Sequence, residues 1–302
     1  SVRSPPMAAV SAVSRLQHEL PVELVEARAG RSLAVHIHRN ARTPHVLIFL
    51  HGSCATLLQW EAQLAAFREE YTVVAFDMYG CGRSPKPREW EAYSTTAHTD
   101  DLAFIVSRFG SGGGGKTALV AHSAAVGLAL RLAARRDGSI DALALVSGVD
   151  STPSTATSPF SPFRLPLCAL RMLHPKLDSA FEQLALHPTT REASSVAHRQ
   201  LLEVCREVNK GNDMYMVKAY YRQLRLPTLE MVASVNVPCL VLYGSGDQLV
   251  SPECSRRLHR YLERGGGRAV MHEIEQAAHQ VMQERPEKVN ALLGAFLADA
   301  ML

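Results

Sequence analysis

The sequence predicts an α/β protein with a mostly parallel, eight-stranded sheet, helices on both sheet faces and a helical insertion. Short apolar runs alternate with longer amphipathic stretches, which is typical of a sheet covered by helices. The middle runs are almost wholly apolar, as expected of parallel strands that are buried on both faces. The alternation stops between Asp150 and Val237 and resumes at Pro238.

The apolar runs predict eight strands, and the amphipathic stretches between them predict five helices. The strands are Val22–Ala27, Ser32–His38, His45–Leu50, Thr72–Phe76, Thr117–Ala121, Ala142–Ser147, Pro238–Tyr243 and Ala269–Ile274. The helices are Leu57–Glu70, Thr95–Phe109, Ala124–Arg135, Pro252–Glu263 and Pro286–Ala300.

The interruption is interpreted as a helical cap, because the chain returns to the same sheet after it. Residues 21–150 and 237–302 then form one core, and residues 151–236 form the cap. The cap opens with a turn-rich stretch from Ser151 to Pro162. Its helices are expected at Leu167–Leu173, Lys176–Ala185, Ser194–Asn209 and Tyr215–Leu224.

The composition is that of an ordinary globular protein and argues against several classes of function. The chain has 302 residues, of which 47% are hydrophobic and 20% charged, and its net charge is +3. So small a charge gives no reason to expect a nucleic-acid partner. No run approaches the roughly 20 apolar residues of a membrane-spanning helix. The six cysteines are scattered, which favours reduced thiols in an intracellular protein over a disulfide framework or a zinc site. A cytoplasmic location is expected, with no metal and no cofactor.

Residues 1–20 are expected to form a flexible tail. Ser1 to Arg15 is rich in Ser, Ala and Pro, has two arginines and no acidic residue, and lacks the long apolar core of a secretory signal. Such a composition is common in disordered termini. An organellar presequence has the same bias and is the alternative.

The strongest signal for chemistry is Ser123, in the run Val120-Ala121-His122-Ser123-Ala124-Ala125. The serine follows an apolar strand and precedes a helix. A nucleophile at such a turn needs small residues two positions before and after it, because strand and helix approach closely there. Alanines replace the usual glycines, at Ala121 and Ala125. Taken alone, the serine is equally well explained as a helix N-cap.

A second strand end supplies a candidate oxyanion site. His51-Gly52-Ser53 follows the strand that ends at Leu50. In this architecture the backbone N–H of Ser53 and that of Ala124, directly after the candidate nucleophile, donate to a developing oxyanion. A simple turn explains the same residues, and the two interpretations do not conflict.

A candidate acid follows the next apolar run. Asp247 ends a glycine-rich turn after Leu240–Tyr243 and is expected to accept the N–H of an imidazole. The alternative interpretation is an aspartate that merely forms the turn. Asp150, after the preceding strand, is the competing acid.

The candidate base is His279, just after the strand Ala269–Ile274, where it can reach Ser123. This gives the chain order nucleophile, acid, base. His122 and His272 are interpreted as structural.

Two further motifs carry a resemblance to a known family. Phe76-Asp77-Met78-Tyr79-Gly80-Cys81-Gly82-Arg83-Ser84 contains D-x-x-G-x-G-x-S, and His279 begins H-x-x-x-x-E-x-P-E-x-V. Both resemble the α/β-hydrolase family, and the likeness extends from Leu20 to Leu302. Within it the chain looks most like the abhydrolase-domain-containing proteins of the lipase and esterase branch. Ala121, Ala125 and Ala278 depart from the family's usual glycines.

The resemblance implies the α/β-hydrolase fold with a cap, and hydrolysis of a carboxylic ester through an acyl-enzyme. It also implies a structural role for Asp77, Gly80, Gly82 and Ser84, and some relatives keep the acid at the position of Asp150. A serine nucleophile argues against the epoxide hydrolases and haloalkane dehalogenases of this fold, which use a carboxylate.

The run Gly110–Thr117 satisfies G-x-x-x-x-G-K-T, the phosphate-binding loop of nucleotide hydrolases. That loop requires a strand before it and a helix at the lysine. Here a helix precedes the run and a strand follows it, so a flexible connection is the better interpretation.

The expected partner is a small ester or lipid substrate, with no obligate protein partner. The cap segment Pro159 to His174 mixes apolar residues with Arg164 and Arg171. It is best interpreted as the inner face of a cap helix. The alternatives are an acyl-chain site and a peripheral contact with an anionic lipid surface. A catalytically weak binding or scaffold protein is the alternative function.

Overall fold

The computed structural model of the chain describes residues 20–136, 138–152, 158, 160–192 and 195–302. All eight predicted strands are present, each within two residues of the expected bounds. They are β1 (Glu23–Arg28), β2 (Arg31–His38), β3 (Val46–Leu50), β4 (Thr72–Asp77), β5 (Thr117–His122), β6 (Ala142–Val146), β7 (Cys239–Gly244) and β8 (Ala269–Ile274). Apart from Leu20, the expected tail lies outside the described residues.

The strands form one sheet in the order β1-β2-β4-β3-β5-β6-β7-β8. β2 pairs antiparallel with both of its neighbours, β1 and β4. The five other neighbouring pairs are parallel. The predicted fold class, an eight-stranded and mostly parallel sheet, is therefore confirmed. Because β3 and β5 to β8 run parallel, their carboxyl ends lie along the same edge of the sheet.

The helices described in this chain alternate with the strands or follow β6. The α-helices are α1 (Glu61–Phe67), α2 (Thr95–Phe109), α3 (Ala125–Ala133), α4 (Leu167–Ala185), α5 (Pro188–Arg191), α6 (Val196–Lys210), α7 (Met214–Gln223), α8 (Leu229–Ala233), α9 (Pro252–Arg264), α10 (Val281–Glu284) and α11 (Pro286–Ala300). Short 3₁₀ helices cover Leu57–Trp60, Trp90–Tyr93 and Pro162–Arg164. We use the name cap for α4 to α8, which lie between β6 and β7 in the chain. None of the helices in these ranges has the length and apolarity to cross a bilayer.

Each face of the sheet carries its own apolar layer. In β3, Val46, Ile48 and Leu50 join the layer that contains α2, α3 and α9. Leu47 and Phe49 join the opposite layer, with α1 and α11. Successive side chains of a strand point to opposite faces, so a strand that is apolar at every position must be covered on both. This two-sided burial explains why the middle strands read as unbroken apolar runs.

The cap differs from the expectation in two ways. A single helix, α4, spans the two predicted segments and contains Pro175. A proline inside a helix removes one backbone hydrogen bond and favours a break. Leu170 and Ala185, on either side of the proline, are fully buried, so the helix is held against the rest of the protein on both sides of Pro175. The short helices α5 and α8 were not predicted, and the turn-rich stretch from Ser151 to Pro162 lies only partly within the described residues.

Candidate active site

Ser123 occupies the sharp turn between β5 and α3. Its φ is +56°, in the left-handed region that costs a residue with a side chain about 1–2 kcal/mol. The turn is held by the Ser123 N–H, which donates to Val146 O at 2.9 Å. Ala121 and Ala125 are fully buried on either side of it. The two alanines therefore satisfy the requirement for small side chains at this turn.

Two loops from later strands meet this turn. His279 Nε2 lies 2.9 Å from Ser123 Oγ, and His279 Nδ1 lies 2.9 Å from Asp247 Oδ2. The Asp247 side chain is fully buried, and that of His279 is 2% exposed. The other Asp247 oxygen, Oδ1, accepts hydrogen bonds from the N–H groups of Leu249 at 3.0 Å and Val250 at 2.9 Å. The carboxylate is thereby fixed at the imidazole, and Nδ1 must carry the proton because Asp247 can only accept.

Asp150, the competing acid, faces a different partner. Its Oδ2 lies 2.5 Å from Arg257 Nε, and its Oδ1 accepts the N–H of Thr152 at 2.7 Å. Both of its oxygens are occupied away from His279. The structure therefore brings together Ser123, His279 and Asp247, and leaves Asp150 in an ion pair with α9.

The two candidate oxyanion donors belong to the loop after β3 and to the turn after β5. Within the described residues, no acceptor is paired with the backbone N–H of Ser53 or of Ala124. The loop lies against the nucleophile turn, because a Cβ built on Gly52 would stand 3.3 Å from Ser123 Cβ. The same Cβ would meet His122 Nδ1 at 2.6 Å, so only glycine fits at position 52.

His122 and His51 are buried beside the site and take no part in the Ser123–His279–Asp247 chain. His122 Nε2 donates to His279 O at 2.9 Å. His51 Nδ1 donates to Gly52 O at 2.7 Å, and its Nε2 accepts the Met78 N–H at 2.8 Å. Burial lowers the pKa of both imidazoles, and nearby His279 adds to the lowering at His122. Both rings are neutral and support the loops through hydrogen bonds to the backbone, in agreement with the structural interpretation of His122.

Acid is expected to destabilise the protein below about pH 6.5. Burial, with a smaller contribution from Arg31, lowers the pKa of His98 on α2 to about 3, and His51 and His122 are lowered too. As the pH falls, a histidine of the unfolded chain becomes protonated near pH 6.5, whereas the buried histidine of the folded protein stays neutral to a lower pH. The free energy of unfolding should therefore fall as pH drops, by up to about 1.4 kcal/mol per pH unit for each histidine.

Urea unfolding at pH 7, 6 and 5 measures this slope. The variant His98→Leu removes one of the three groups and should show a shallower fall. An unchanged slope in that variant would contradict the assignment of His98 as a neutral buried imidazole.

A chain of amides joins the oxyanion loop to the His279 loop. Gln59 Oε1 accepts the Gly52 N–H at 2.9 Å, and Gln59 Nε2 donates to Gln280 Oε1 at 2.6 Å. Both glutamines are 5% exposed. The sequence does not predict this link, because Gln59 and Gln280 are 221 positions apart and neither is a defined position of a recognised motif.

Glu284 joins the His279 loop to the cap. Its two carboxylate oxygens accept the N–H of Ala278 and the N–H of His187, each at 2.7 Å. The residue is 4% exposed. Glu284 is the first glutamate of the H-x-x-x-x-E-x-P-E-x-V motif that begins at His279. The structure adds its contacts: one buried carboxylate holds both the residue before His279 and the start of α5.

Glu284→Gln is expected to lower the free energy of unfolding by about 1–3 kcal/mol, because one N–H would face an amide NH₂ instead of an oxygen. Chemical denaturation measures the change. Glu203→Gln, on the exposed side of α6, is the matched control and should stay within about 0.5 kcal/mol of the parent. Equal stability of the two variants would contradict the structural role of Glu284.

Asp77 holds the glycine-rich turn after β4 in place through hydrogen bonds to its carboxylate. Its Oδ1 accepts the Leu57 N–H at 2.8 Å, and its Oδ2 accepts the Arg83 N–H at 2.8 Å. A Cβ on Gly82 would lie 2.2 Å from Asp77 Oδ2, so this position must be glycine. Ser84 Oγ donates to Asp77 O at 2.6 Å. These contacts are structural, as the resemblance implied, and they anchor the start of the helical segment that bears Gln59.

A cavity adjoins the site beneath the cap. It is a partly open cavity between the loop after β3 and helices α4, α6 and α7, and its empty space of about 800 Å³ includes open solvent. Ser53 and Gln280 line one part of it, next to Ser123 and His279, which do not themselves line it. The Ser53 hydroxyl is hydrogen-bonded to the Tyr221 hydroxyl at 2.7 Å. Apolar side chains form much of the wall: Leu58, Phe163, Leu177, Phe181, Val204 and Val208.

The glycine run before β5 connects α2 to that strand. Gly113 and Gly114 have positive φ, and a Cβ on either would meet no atom within 4 Å. Lys116 Nζ donates to Ala300 O at 3.3 Å, so the lysine is engaged with the end of α11. Helix, loop and strand follow in the order that the sequence predicted, which is the reverse of the order in a phosphate-binding loop.

Comparisons of the chain with a family model, with curated proteins and with solved structures agree with one another. A model of the alpha/beta hydrolase family matches residues 47–292. Protein ABHD8 of Mus musculus is 30% identical over 262 residues, which are 86% of this chain and 56% of that protein. The chain thus spans little more than half the length of this relative. Epoxide hydrolase 1 of Caenorhabditis elegans is 22% identical over 83% of this chain and 64% of that protein.

Among solved structures, the enol-lactonase from Burkholderia xenovorans has a TM-score of 0.77 at 19% identity, and the match covers 92% of this chain and all of that one. At this identity the likeness shows the fold alone. The family match, which covers most of the chain, agrees with the strand-end motifs and the sheet order. The chain belongs to the alpha/beta hydrolase family.

Proposed function

We propose that the protein is a serine hydrolase that cleaves carboxylic esters with Ser123, His279 and Asp247 as its triad. One observation carries the proposal: His279 Nε2 is 2.9 Å from Ser123 Oγ while its Nδ1 is 2.9 Å from Asp247 Oδ2. Within the described residues, this is a nucleophile in contact with a base that a buried acid orients.

The proposed reaction transfers an acyl group to water. His279 Nε2 takes the proton of Ser123 Oγ, and that oxygen attacks the ester carbonyl. The backbone N–H groups of Ser53 and Ala124 are the donors for the resulting oxyanion. The tetrahedral intermediate then expels the alcohol, which takes the proton from His279. Water, activated by the same imidazole, attacks the acyl-enzyme and releases the acid.

Epoxide opening fits this site poorly, although one relative is named an epoxide hydrolase. A serine oxygen that opened an epoxide would form an ether. The ether has no carbonyl for water to attack, so the enzyme could not be regenerated. An ester substrate leaves an acyl-serine, whose carbonyl water can attack. The hydroxyl at position 123 therefore favours acyl transfer within the family.

The cavity favours an ester with an extended acyl chain. Its walls come from α4, α6 and α7, and its apolar side chains suit a hydrocarbon chain better than a charged group. Ser53, which carries one proposed oxyanion donor, opens onto it. An acyl carbonyl held at that donor would place its chain along the wall formed by Phe181 and Val208.

Val208→Trp is expected to shift the preferred substrate to shorter acyl chains, because the larger side chain fills part of the cavity. A series of nitrophenyl esters from two to twelve carbons measures the shift. The specificity constant, kcat/KM, should fall by about tenfold or more for the longest chain that the parent accepts, and little for acetate.

Glu203→Trp makes an equally large change on the exposed side of the same helix and should leave the series unchanged. The proposal of an acyl site would be abandoned if both tryptophan variants gave the parent's profile. It would also be abandoned if the parent's activity fell steadily with chain length.

A fluorophosphonate probe tests the triad itself, since it reacts with activated serines. The parent should be labelled at Ser123, and the variants Ser123→Ala and His279→Ala should lose labelling. A folded parent that fails to react would contradict the proposal and favour the binding or scaffold alternative. Undiminished labelling of His279→Ala would show that the imidazole does not activate the serine.

A further inference from the structure

Helix α4 and the segment just before it expose several large apolar side chains. The described residues expose eight large hydrophobic side chains, and four of these fall in and just before α4: Phe160, Leu165, Met172 and Leu184. Phe160 is 93% exposed and Met172 is 83% exposed. An exposed Leu or Met is ordinary on its own, but such a concentration in one short segment marks a contact surface.

The two sides of α4 are distinguished by helical spacing. His174, Leu177, Asp178 and Phe181 recur at intervals of three and four and line the cavity. Cys168, Met172 and Lys176 are exposed on the other side. Arg171 and Leu184 are exposed at the edges of the cavity side, seven positions from Asp178 and Leu177. Among the exposed large apolar side chains, Met172 is the one on the solvent side of this helix, and Phe160 and Leu165 precede the helix in the chain. The sequence allowed two interpretations of this segment, the inner face of a cap helix and a contact with lipid. The structure shows apolar residues that line the cavity and others that are exposed.

The charge around the exposed side is of one sign. Arg164, Arg171 and Lys176 are exposed, and no acidic residue occurs from Ser158 to Leu177. Lys218 of α7 donates to Leu165 O and adds a fourth cation beside the segment. The two acids that follow on α4 are engaged: Asp178 lies 3.4 Å from His174, and Glu182 pairs with Arg206 at 2.7 Å.

We propose that this basic apolar face, formed by Phe160, Arg164, Leu165, Arg171, Met172 and Lys176, docks the cap onto an anionic lipid surface. A membrane-surface helix lies in the plane of the interface, with apolar side chains in the acyl boundary and cations at the headgroups. The 19 residues of α4 give it a length of about 28 Å for such a contact.

The chemistry favours lipid over the other occupants of such a face. Two copies of this chain would bring cations against cations, and that repulsion opposes a symmetric dimer. An anionic bilayer instead offers both the negative headgroups and the apolar interior that the exposed side chains require. The proposal does not depend on catalysis.

Lipid binding by the basic apolar face is tested by co-sedimentation with vesicles. The protein used is the full chain carrying Ser123→Ala, so that no lipid is hydrolysed during the assay. Two probes are compared: phosphatidylcholine vesicles, and vesicles of 70% phosphatidylcholine and 30% phosphatidylserine. Binding should be at least about tenfold stronger to the anionic vesicles, and 0.5 M NaCl should weaken it, since salt screens surface charge. Failure to bind, or equal binding to both vesicles, would overturn the proposal, whatever the activity of the parent toward soluble esters.

Variants locate the contact. Arg171→Glu and Met172→Glu should each reduce binding to the anionic vesicles by about tenfold or more. Arg39→Glu and Leu24→Glu make the same changes at exposed positions outside the cap and should bind like the parent. Thermal unfolding of all four checks that they are folded. Equal losses in the control and face variants would overturn the proposal, as would the absence of any loss in the face variants.

Discussion

Replacing Ser123 by alanine is expected to lower kcat for ester hydrolysis by about 10⁵-fold or more. The variant keeps the cavity and the backbone donors but removes the oxygen that would attack the substrate. Its free energy of unfolding should change little, because alanine and serine bear the same strain at a φ of +56°. Steady-state hydrolysis of a nitrophenyl ester and urea unfolding of the same preparation measure the two effects.

Ser147 provides a matched control for this prediction. Like Ser123, it is a buried serine with a positive φ, +47°, and it follows the neighbouring strand β6. Its hydroxyl has no hydrogen-bond partner within the described residues. Ser147→Ala should therefore keep the parent's kcat. Comparable activity of the Ser123 and Ser147 variants would contradict the assignment of the nucleophile.

Asp247→Asn is expected to lower kcat by about 10⁴-fold, with a small effect on KM. An amide can present its NH₂ group to His279, so the ring would keep its proton on Nε2, the nitrogen that faces Ser123. The imidazole could then not take the serine proton. The change conserves shape, and the backbone N–H groups of Leu249 and Val250 can still bond to the amide oxygen.

Asp150→Asn separates the two candidate acids. The substitution takes the carboxylate from Arg257 and should lower the free energy of unfolding, since it leaves that cation without its partner. Its kcat should stay within a few-fold of the parent's. A large loss of kcat in Asp150→Asn, together with a mild effect of Asp247→Asn, would reverse the assignment.

Much of the fold was predictable because its signals are local. The unbroken apolar character of β3 and β5 to β7 follows from burial on both faces, and the pattern is visible in any window of a few residues. Ser123 and Asp247 each stand just after such a run, and His279 follows the edge strand β8, so the predicted strands also indicated where the catalytic side chains would meet. The sheet order then accounts for their meeting, since parallel neighbours end at the same edge.

The rest depended on contacts between distant parts of the chain. Gln59 and Gln280 are unremarkable in sequence, and only the packing of the two loops gives them a shared role. The choice between Asp150 and Asp247 could not be made from strand ends alone, because it depends on where Arg257 of α9 lies. The continuity of α4 across Pro175 likewise accompanies the burial of Leu170 and Ala185, which the sequence pattern does not specify.

The most direct test of the account is to trap the acyl-enzyme. The parent is mixed with a nitrophenyl ester and quenched in acid within milliseconds, and its intact mass and peptides are measured. We expect the protein to gain the mass of one acyl group, on the peptide that contains Ser123, and Ser123→Ala to gain none. Rapid hydrolysis with no adduct under any quench time, or an acyl group on another residue, would contradict the central claim that the Ser123 hydroxyl is the nucleophile.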